Sequence, residues 1–432
     1  MTNLGWEKTL MKDHLENLLP LICNLFFFFL CSTKWNAGYN IALGLIVLIV
    51  LVARLKYKRK LVFFPRRFFI GYVLFVGGVL LASCLTGDRA SIRVGQKLVI
   101  YSYPLWGLFF SLQLCPSILN ATQWGIAGGT NVLNVVVISE IIKNRNLLRV
   151  HGPFRSPNHL AMVLESILPF LLVQTACLLC HTKRDSSRPQ KLLYGVSLVT
   201  SLIAVAGLIL SGSRGGIAGF VLGAVVVGSS LFLNRFRLSL AKRISVLALV
   251  FALSAGTIFG FTVTYINRTY DPERLLLLQS AYHMWQDHKW YGVGLARWND
   301  VYRHHYILPG AKEPTLTLPH NNIANFFSGT GILGGCGFLF FMVGSLLYLI
   351  RLIRSQKNNL YAYAMLWTWV AISVHGMVDN TMFGRFNDRL FFAMWGVTLA
   401  ASVCNIMGGP DPDGLLLERR EGRNDQLQSL HH

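Results

Sequence analysis

Charge is scarce in this chain, and acid is scarcer than base. Charged residues make up 14% of the 432 residues, where soluble domains carry about 25%. Asp and Glu number 19 against 40 Lys and Arg, for a net charge of +21. Within the apolar stretches the only acids of note are Glu140 and Glu165, both near the ends of runs. Ion-coupled transporters place acids at mid-membrane, so a pump is disfavoured. No G-x-x-x-x-G-K-[ST] loop and no G-x-S-x-G elbow occurs, which removes P-loop nucleotide hydrolysis and α/β-hydrolase chemistry. Basic residues interleaved with aromatics on a soluble face are missing too, so nucleic acid is not an expected partner. The eight cysteines include Cys177 and Cys180 in a C-x-x-C spacing. With no second pair elsewhere, they read as small buried hydrophobes rather than a zinc or redox site. The stretch 267–319 has no cysteine, so no disulfide staples it. A cleavable signal peptide is not expected: residues 1–17 are polar, and no small-residue cleavage site follows 18–30.

What the chain has in quantity is apolar sequence: 53% hydrophobic residues and a mean hydropathy of +0.47. Runs of about 20 residues, long enough to cross a bilayer, recur along the whole length. The reading is an all-α polytopic membrane protein of about 12 transmembrane helices, spanning 15–32, 38–53, 67–85, 97–114, 120–141, 158–180, 191–210, 215–233, 244–266, 321–350, 360–378 and 389–408. Nine spans thus fill 1–266, one large outer loop with amphipathic helices occupies 267–319, three spans lie in 320–408, and 409–432 is a polar tail. The short loops "RLKYKRK", "HTKRDSSRPQK", "NRFRLSLAKR" and "RLIRSQKNN" follow even-numbered spans and are strongly basic, which keeps them in the cytoplasm. Both termini are then cytoplasmic. The odd loops lie outside, and their arginines run against the usual bias, as residues kept for an anionic ligand would.

One such arginine stands in "SGSRGG", a turn with almost no loop to carry it into water. A charge at the bilayer centre costs roughly 2.5–3.5 kcal/mol on insertion scales, so Arg214 must lie at a membrane face or line a polar cavity. Gly215, Gly219 and Gly223 share one helix face and permit close helix packing. Gly215 and Gly216 also open a helix whose first N–H groups point outward, where phosphate binds, and an adjacent guanidinium can grip two phosphate oxygens. A snorkelling arginine is the alternative. In the outer segment, Leu275, Leu278, Ala281, Tyr282 and Trp285 recur at helical spacing, with Arg274 in the first turn. A cation there opposes the helix dipole, so stability does not ask for Arg274; an ordinary solvated arginine is the alternative. The segment closes on "LTLPHNNIANFFSGTGILGG", putting His320 at the outer start of a membrane helix, with Asn321 and Asn322 available to orient substrate or cap the helix. A neutral imidazole there can take a proton from a hydroxyl; a histidine merely bonded to a headgroup is the alternative. No D-x-D pair stands on an outer loop, so neither a divalent metal nor another cofactor is expected.

Taken together, "GPFRSPNHLAMVLESILP", "SGSRGG", an outer arginine before an amphipathic helix ending "YGVG", and "PHNN…GTGILGG" resemble the O-antigen ligase and polymerase superfamily over about residues 149–340. The resemblance implies a glycosyltransferase of the bacterial inner membrane with its active site facing the periplasm. Its donor is a glycan on undecaprenyl pyrophosphate, and in the ligases the acceptor is lipid A–core. By position, Arg214 and Arg274 match the arginines assigned to the diphosphate, His320 matches the histidine near the acceptor, and Asp379 in "HGMVDNTMFGRFNDR" is a weaker correspondence, as are Arg385 and Arg389. Many relatives carry a Glu-x-Gly after the histidine; here the stretch is Ser328-Gly329-Thr330-Gly331, and the acid's role has no bearer. The implied reaction is a metal-independent, inverting single displacement. An O-antigen polymerase and a protein O-oligosaccharyltransferase share that donor, and a small-anion transporter would also set arginines among apolar spans. Chain length and basicity favour the lipid A–core ligase, whose acceptor carries phosphates.

Overall fold

The computed structural model describes residues 3–33, 35–56, 58, 61–115, 117–145, 149–181, 188–233, 271–311, 318–356 and 359–407, with scattered positions between 236 and 256. Among these residues there are helices and no strand. In chain order they are α1 (Asn3–Ser32), α2 (Asn36–Leu55), α3 (Arg66–Leu85), α4 (Arg89–Leu114), α5 (Ile118–Asn144), α6 (Pro157–His181), α7 (Arg188–Leu210), α8 (Arg214–Leu233), α9 (Asp271–Asp287), a short α10 (Trp298–Val301) running into a π turn, α11 (Asn322–Ser355), α12 (Leu360–His375) and α13 (Arg385–Met407). Each expected span except 244–266 falls on one of them; most of that one, and the tail 409–432, lie outside the described residues. Six are long and apolar enough to cross a membrane: α2, α3, α5, the 191–210 part of α7, α8 and α11. Leu18–Ser32 and Pro157–Val173 are shorter apolar helices. The chain is a multi-pass membrane protein.

The glycine stripe of α8 decides how the site end is built. A Cβ on Gly215 would stand 2.6 Å from Cδ2 of His375, one on Gly219 would collide with the Ala371 carbonyl, and one on Gly223 with the Trp367 ring. Spacing by four therefore buys a backbone-close contact of α8 with α12, as small-residue interfaces do in lipid. Trp367 locks it by donating Nε1–H to the Phe220 carbonyl at 2.7 Å.

α11 is 34 residues long, about 51 Å, far beyond a hydrocarbon core of about 30 Å. Its excess is taken up by a break at Gly331, where φ is 61° and ψ −157°. This is backbone that a Cβ would disfavour. The segment from Lys289 to Trp298 fills the break. Val293 N–H donates to Ser328 O (2.9 Å), Gly294 N–H to Gly329 O (3.0 Å), and in return Ile332 N–H donates to Lys289 O at 2.7 Å. Trp298 Nε1–H donates to Ser328 Oγ at 2.8 Å. The residues after the break, 332–355, are then about 36 Å of helix, a length that crosses with some tilt.

The segment has a small core of its own: Leu277, Ala281 and Met284 of α9 against Val293, Trp298, Val301 and Tyr302. This differs from the expected stripe. Leu275 and Tyr282 are exposed, and only Ala281 of the expected set is buried. The run Leu275–Leu278 gives α9 two apolar faces, and periodicity alone does not tell which one meets the folded-back chain.

Candidate functional site

His320 enters at the start of α11 with φ 50°. The two asparagines after it explain why it is held there. Asn321 caps the helix, its Oδ1 accepting from Ala324 N–H at 3.0 Å while its Nδ2 donates to the Met377 carbonyl at 2.9 Å. Asn322 donates Nδ2–H to Thr381 Oγ1 (2.7 Å) and accepts from Thr381 N–H (3.0 Å). The pair stitches the head of α11 to the loop after α12, and that loop brings in Asp379. His320 Nδ1 lies 2.9 Å from Asp379 Oδ1. The same oxygen accepts from Asn380 N–H at 2.8 Å, and Oδ2 accepts from Asn158 Nδ2 at 2.5 Å. Burial pushes the Asp379 carboxyl up, but the His320 hydrogen bond and charge, the His375 charge and the Asn380 amide outweigh it and bring it down to about 2. An ionised carboxylate only accepts, so Nδ1 is the donor and the neutral ring keeps its lone pair on Nε2. The His320 side chain is 29% exposed, enough to meet a ligand.

Arg214 opens α8 and is exposed. Below it the turn is packed. Ser213 Oγ lies 3.4 Å from His375 Nε2 and accepts from Gly216 N–H at 3.4 Å. His375 Nδ1 meets both oxygens of Glu165 at 3.0 and 3.1 Å. Arg274, half-buried in the first turn of α9, is near enough to His375 for its charge to act there. Among the described residues neither Arg214 nor Arg274 is ion-paired to a carboxylate, and Glu140, Glu165, Asp300 and Asp379 are each paired with a histidine.

The structure therefore hydrogen-bonds His320, Asp379 and Asn158 of α6 into one group, with Asn321 tying the start of α11 to the Met377 carbonyl beside it. It sets Arg214, Gly215 and Gly216 on a turn against His375. Gly216 faces Ala161 and Glu165 of α6 rather than open space. Arg385 is exposed, while Arg389 is buried, bonded to the Tyr39 hydroxyl and stacked over the Tyr39 and Tyr101 rings at 4.6 and 4.7 Å. Glu165 and His375 carried no role in the sequence reading; a lone acid and a lone histidine at the ends of apolar runs were the available signal. The other acid, Glu140, accepts from the backbone N–H groups of His151 (3.3 Å) and Gly152 (2.6 Å) and so anchors the loop that leads to Asn158.

Residues 199–339 match the model of the O-antigen ligase family, a stretch holding Arg214, Arg274, His320, Asn321 and the α11 break. Asn158, Glu165, His375 and Asp379 lie outside the match. No curated protein matches the chain.

Proposed function

We propose that the chain is an O-antigen ligase, moving a glycan from undecaprenyl pyrophosphate to a sugar hydroxyl of lipid A–core on the periplasmic side of the bacterial inner membrane. The observation that carries this reading is the pairing pattern. The acids of the site are bonded to histidines and backbone amides, leaving Arg214 and Arg274 without carboxylate partners among the described residues. Unneutralised guanidiniums at an outer helix end suit a diphosphate.

In this mechanism the acceptor hydroxyl gives its proton to His320 Nε2 as its oxygen bonds to the anomeric carbon. The bond from that carbon to the diphosphate oxygen breaks, and the electron pair leaves with undecaprenyl diphosphate. Arg214 and Arg274 stabilise the charge growing on the leaving group. Asp379 keeps the His320 ring in the useful tautomer and balances the imidazolium that forms. Attack opposite the leaving group inverts the anomeric centre.

Lipopolysaccharide from a strain lacking the protein tests the assignment. Loss of all polymer-bearing lipid A with long chains accumulating on the polyprenol supports the ligase. A ladder cut to single repeats would mark a polymerase instead, and unchanged lipopolysaccharide would remove both.

A further inference from the structure

We infer that His375, oriented by Glu165, is the positioning residue that sets Arg214 against the His320–Asp379 pair. The inference rests on the proposed role of Arg214. Glu165 of α6 is fully buried and His375 of α12 is 1% exposed, yet they meet across 210 residues of sequence. Taking a carboxylate and an imidazole out of water is costly, and apolar residues of similar volume would often serve packing as well or better. Packing alone therefore gives no reason for this pair.

Its contacts give one. The ring touches the residues on both sides of Arg214: Nε2 faces Ser213 Oγ at 3.4 Å, and Gly215 lies so close that a Cβ would stand 2.6 Å from Cδ2. Ser213 Oγ in turn accepts from Gly216 N–H, and Ser213 N–H donates to Ser211 Oγ at 3.2 Å. The turn is thus tied at each end to one side chain. On the other side, the His375 carbonyl accepts from the backbone N–H of Asp379 at 2.9 Å. Side chain and backbone of a single residue hold the two halves of the site. Glu165 fixes which way the ring faces by accepting at Nδ1, so Nε2 is left for Ser213. The other charged or titratable groups acting on the ring are Asp379 from the loop, Arg274 from α9 and His159 from α6.

The test replaces the pair by apolar residues and asks whether fold and rate separate. The full-length protein with Glu165→Leu and His375→Leu together should insert and keep its thermal stability in detergent. Its kcat should fall about 10- to 100-fold with donor KM little changed, because misplacing a group by about 1 Å is enough for such a loss. Glu165→Gln, whose amide oxygen still accepts from Nδ1–H, should retain most of the rate. Ser213→Ala, which cuts the link without touching the buried pair, should reproduce the loss and provides the measurement if the double replacement does not fold. The deciding comparison adds Arg214→Ala. Residues acting through one another are not additive, so Ser213→Ala or the paired leucines should cost nothing further in an Arg214→Ala background. Fully additive losses, or normal kcat in both Ser213→Ala and the paired variant, overturn the inference. If Arg214→Ala alone transfers at the normal rate, the proposed role of Arg214 fails instead.

Discussion

Asp379→Asn is the substitution that separates a general base from a merely well-placed histidine. In the native site the carboxylate can only accept, so Nδ1–H must point at it and Nε2 must carry the lone pair. An amide that turns its NH2 toward Nδ1 puts the lone pair on the wrong nitrogen and a second donor against the Asn380 N–H, and one that keeps its oxygen there leaves no negative charge to balance the imidazolium. The ring stays where it is and loses its chemistry. The depression of the Asp379 pKa from 3.8 to about 2 corresponds to about 2 kcal/mol of stability. A depressed acid contributes fully above about pH 4 and loses that contribution as pH falls through about 2, so at neutral pH the term is complete. Transfer should fall about 10²–10⁴-fold, the range for losing general-base catalysis, while binding of the polyprenol diphosphate stays near normal because both arginines remain. His320→Ala should match it, and the double variant should be no worse. Purified protein in nanodiscs, with donor binding and glycan transfer measured separately, gives both quantities. Asp379 remains ionised throughout pH 5–8, so a wild-type acid limb in that window does not come from Asp379. The reasoning is refuted by an Asp379→Asn enzyme that transfers at the normal rate with an unchanged pH profile.

Arg214→Ala and Arg274→Ala should each cost roughly 10²–10³-fold in transfer without loss of insertion, the scale for removing one donor aimed at developing charge; normal transfer in either removes that arginine from the diphosphate. Arg→Lys at the same positions should recover part of the rate only, since an ammonium lacks the bidentate fork. Transfer should survive excess EDTA; activity abolished by chelation and restored by Mg²⁺ or Mn²⁺ would overturn the arginine-only account. Gly331→Val should destabilise by about 1–3 kcal/mol, because φ is 61° there and the β-branch meets the Trp290–Tyr291 backbone; an unchanged melting temperature would mean the break has relaxed into continuous helix.

The helices were legible because lipid-crossing runs announce themselves by composition, and the α8 glycines because spacing by four names one face. The positions of Arg214 and His320 at helix starts were legible for the same reason: each stands where an apolar run begins. Partners were not. His320 and Asp379 are 59 residues apart, and Glu165 and His375 are 210 apart; nothing periodic links them, and only the packing of α6, α8, α11 and α12 at one end joins them. The segment between α8 and α11 shows the opposite failure. Its Leu-rich helix gave more apolar positions than one face holds, so the choice between Leu275 and Leu277 fell to the chain folding back from Val293 to Tyr302. The over-long apolar stretch from 321 to 350 did carry a sign of the Gly331 break, since a single straight span needs only about 20 residues.

The shortage of acid in the sequence acquires a structural meaning at this end of the bundle. Glu140 is bonded to the loop before α6, Glu165 to His375, Asp379 to His320 and Asn158, and Asp388, fully buried, to the backbone N–H of Phe383 at 3.0 Å. Each acid builds the frame, and none neutralises an exposed arginine. Were Asp379 free to swing toward Arg214 or Arg274, the guanidiniums would be satisfied internally and a diphosphate would have to displace a carboxylate to bind. Tying the acids to histidines and amides keeps the positive charge available and orients the imidazole in the same stroke. Arg389 completes the contrast: stacked between Tyr39 and Tyr101 and bonded to a hydroxyl, it is a buried cation held by aromatic faces, so even where an outer arginine is structural no carboxylate ion pair is spent on it.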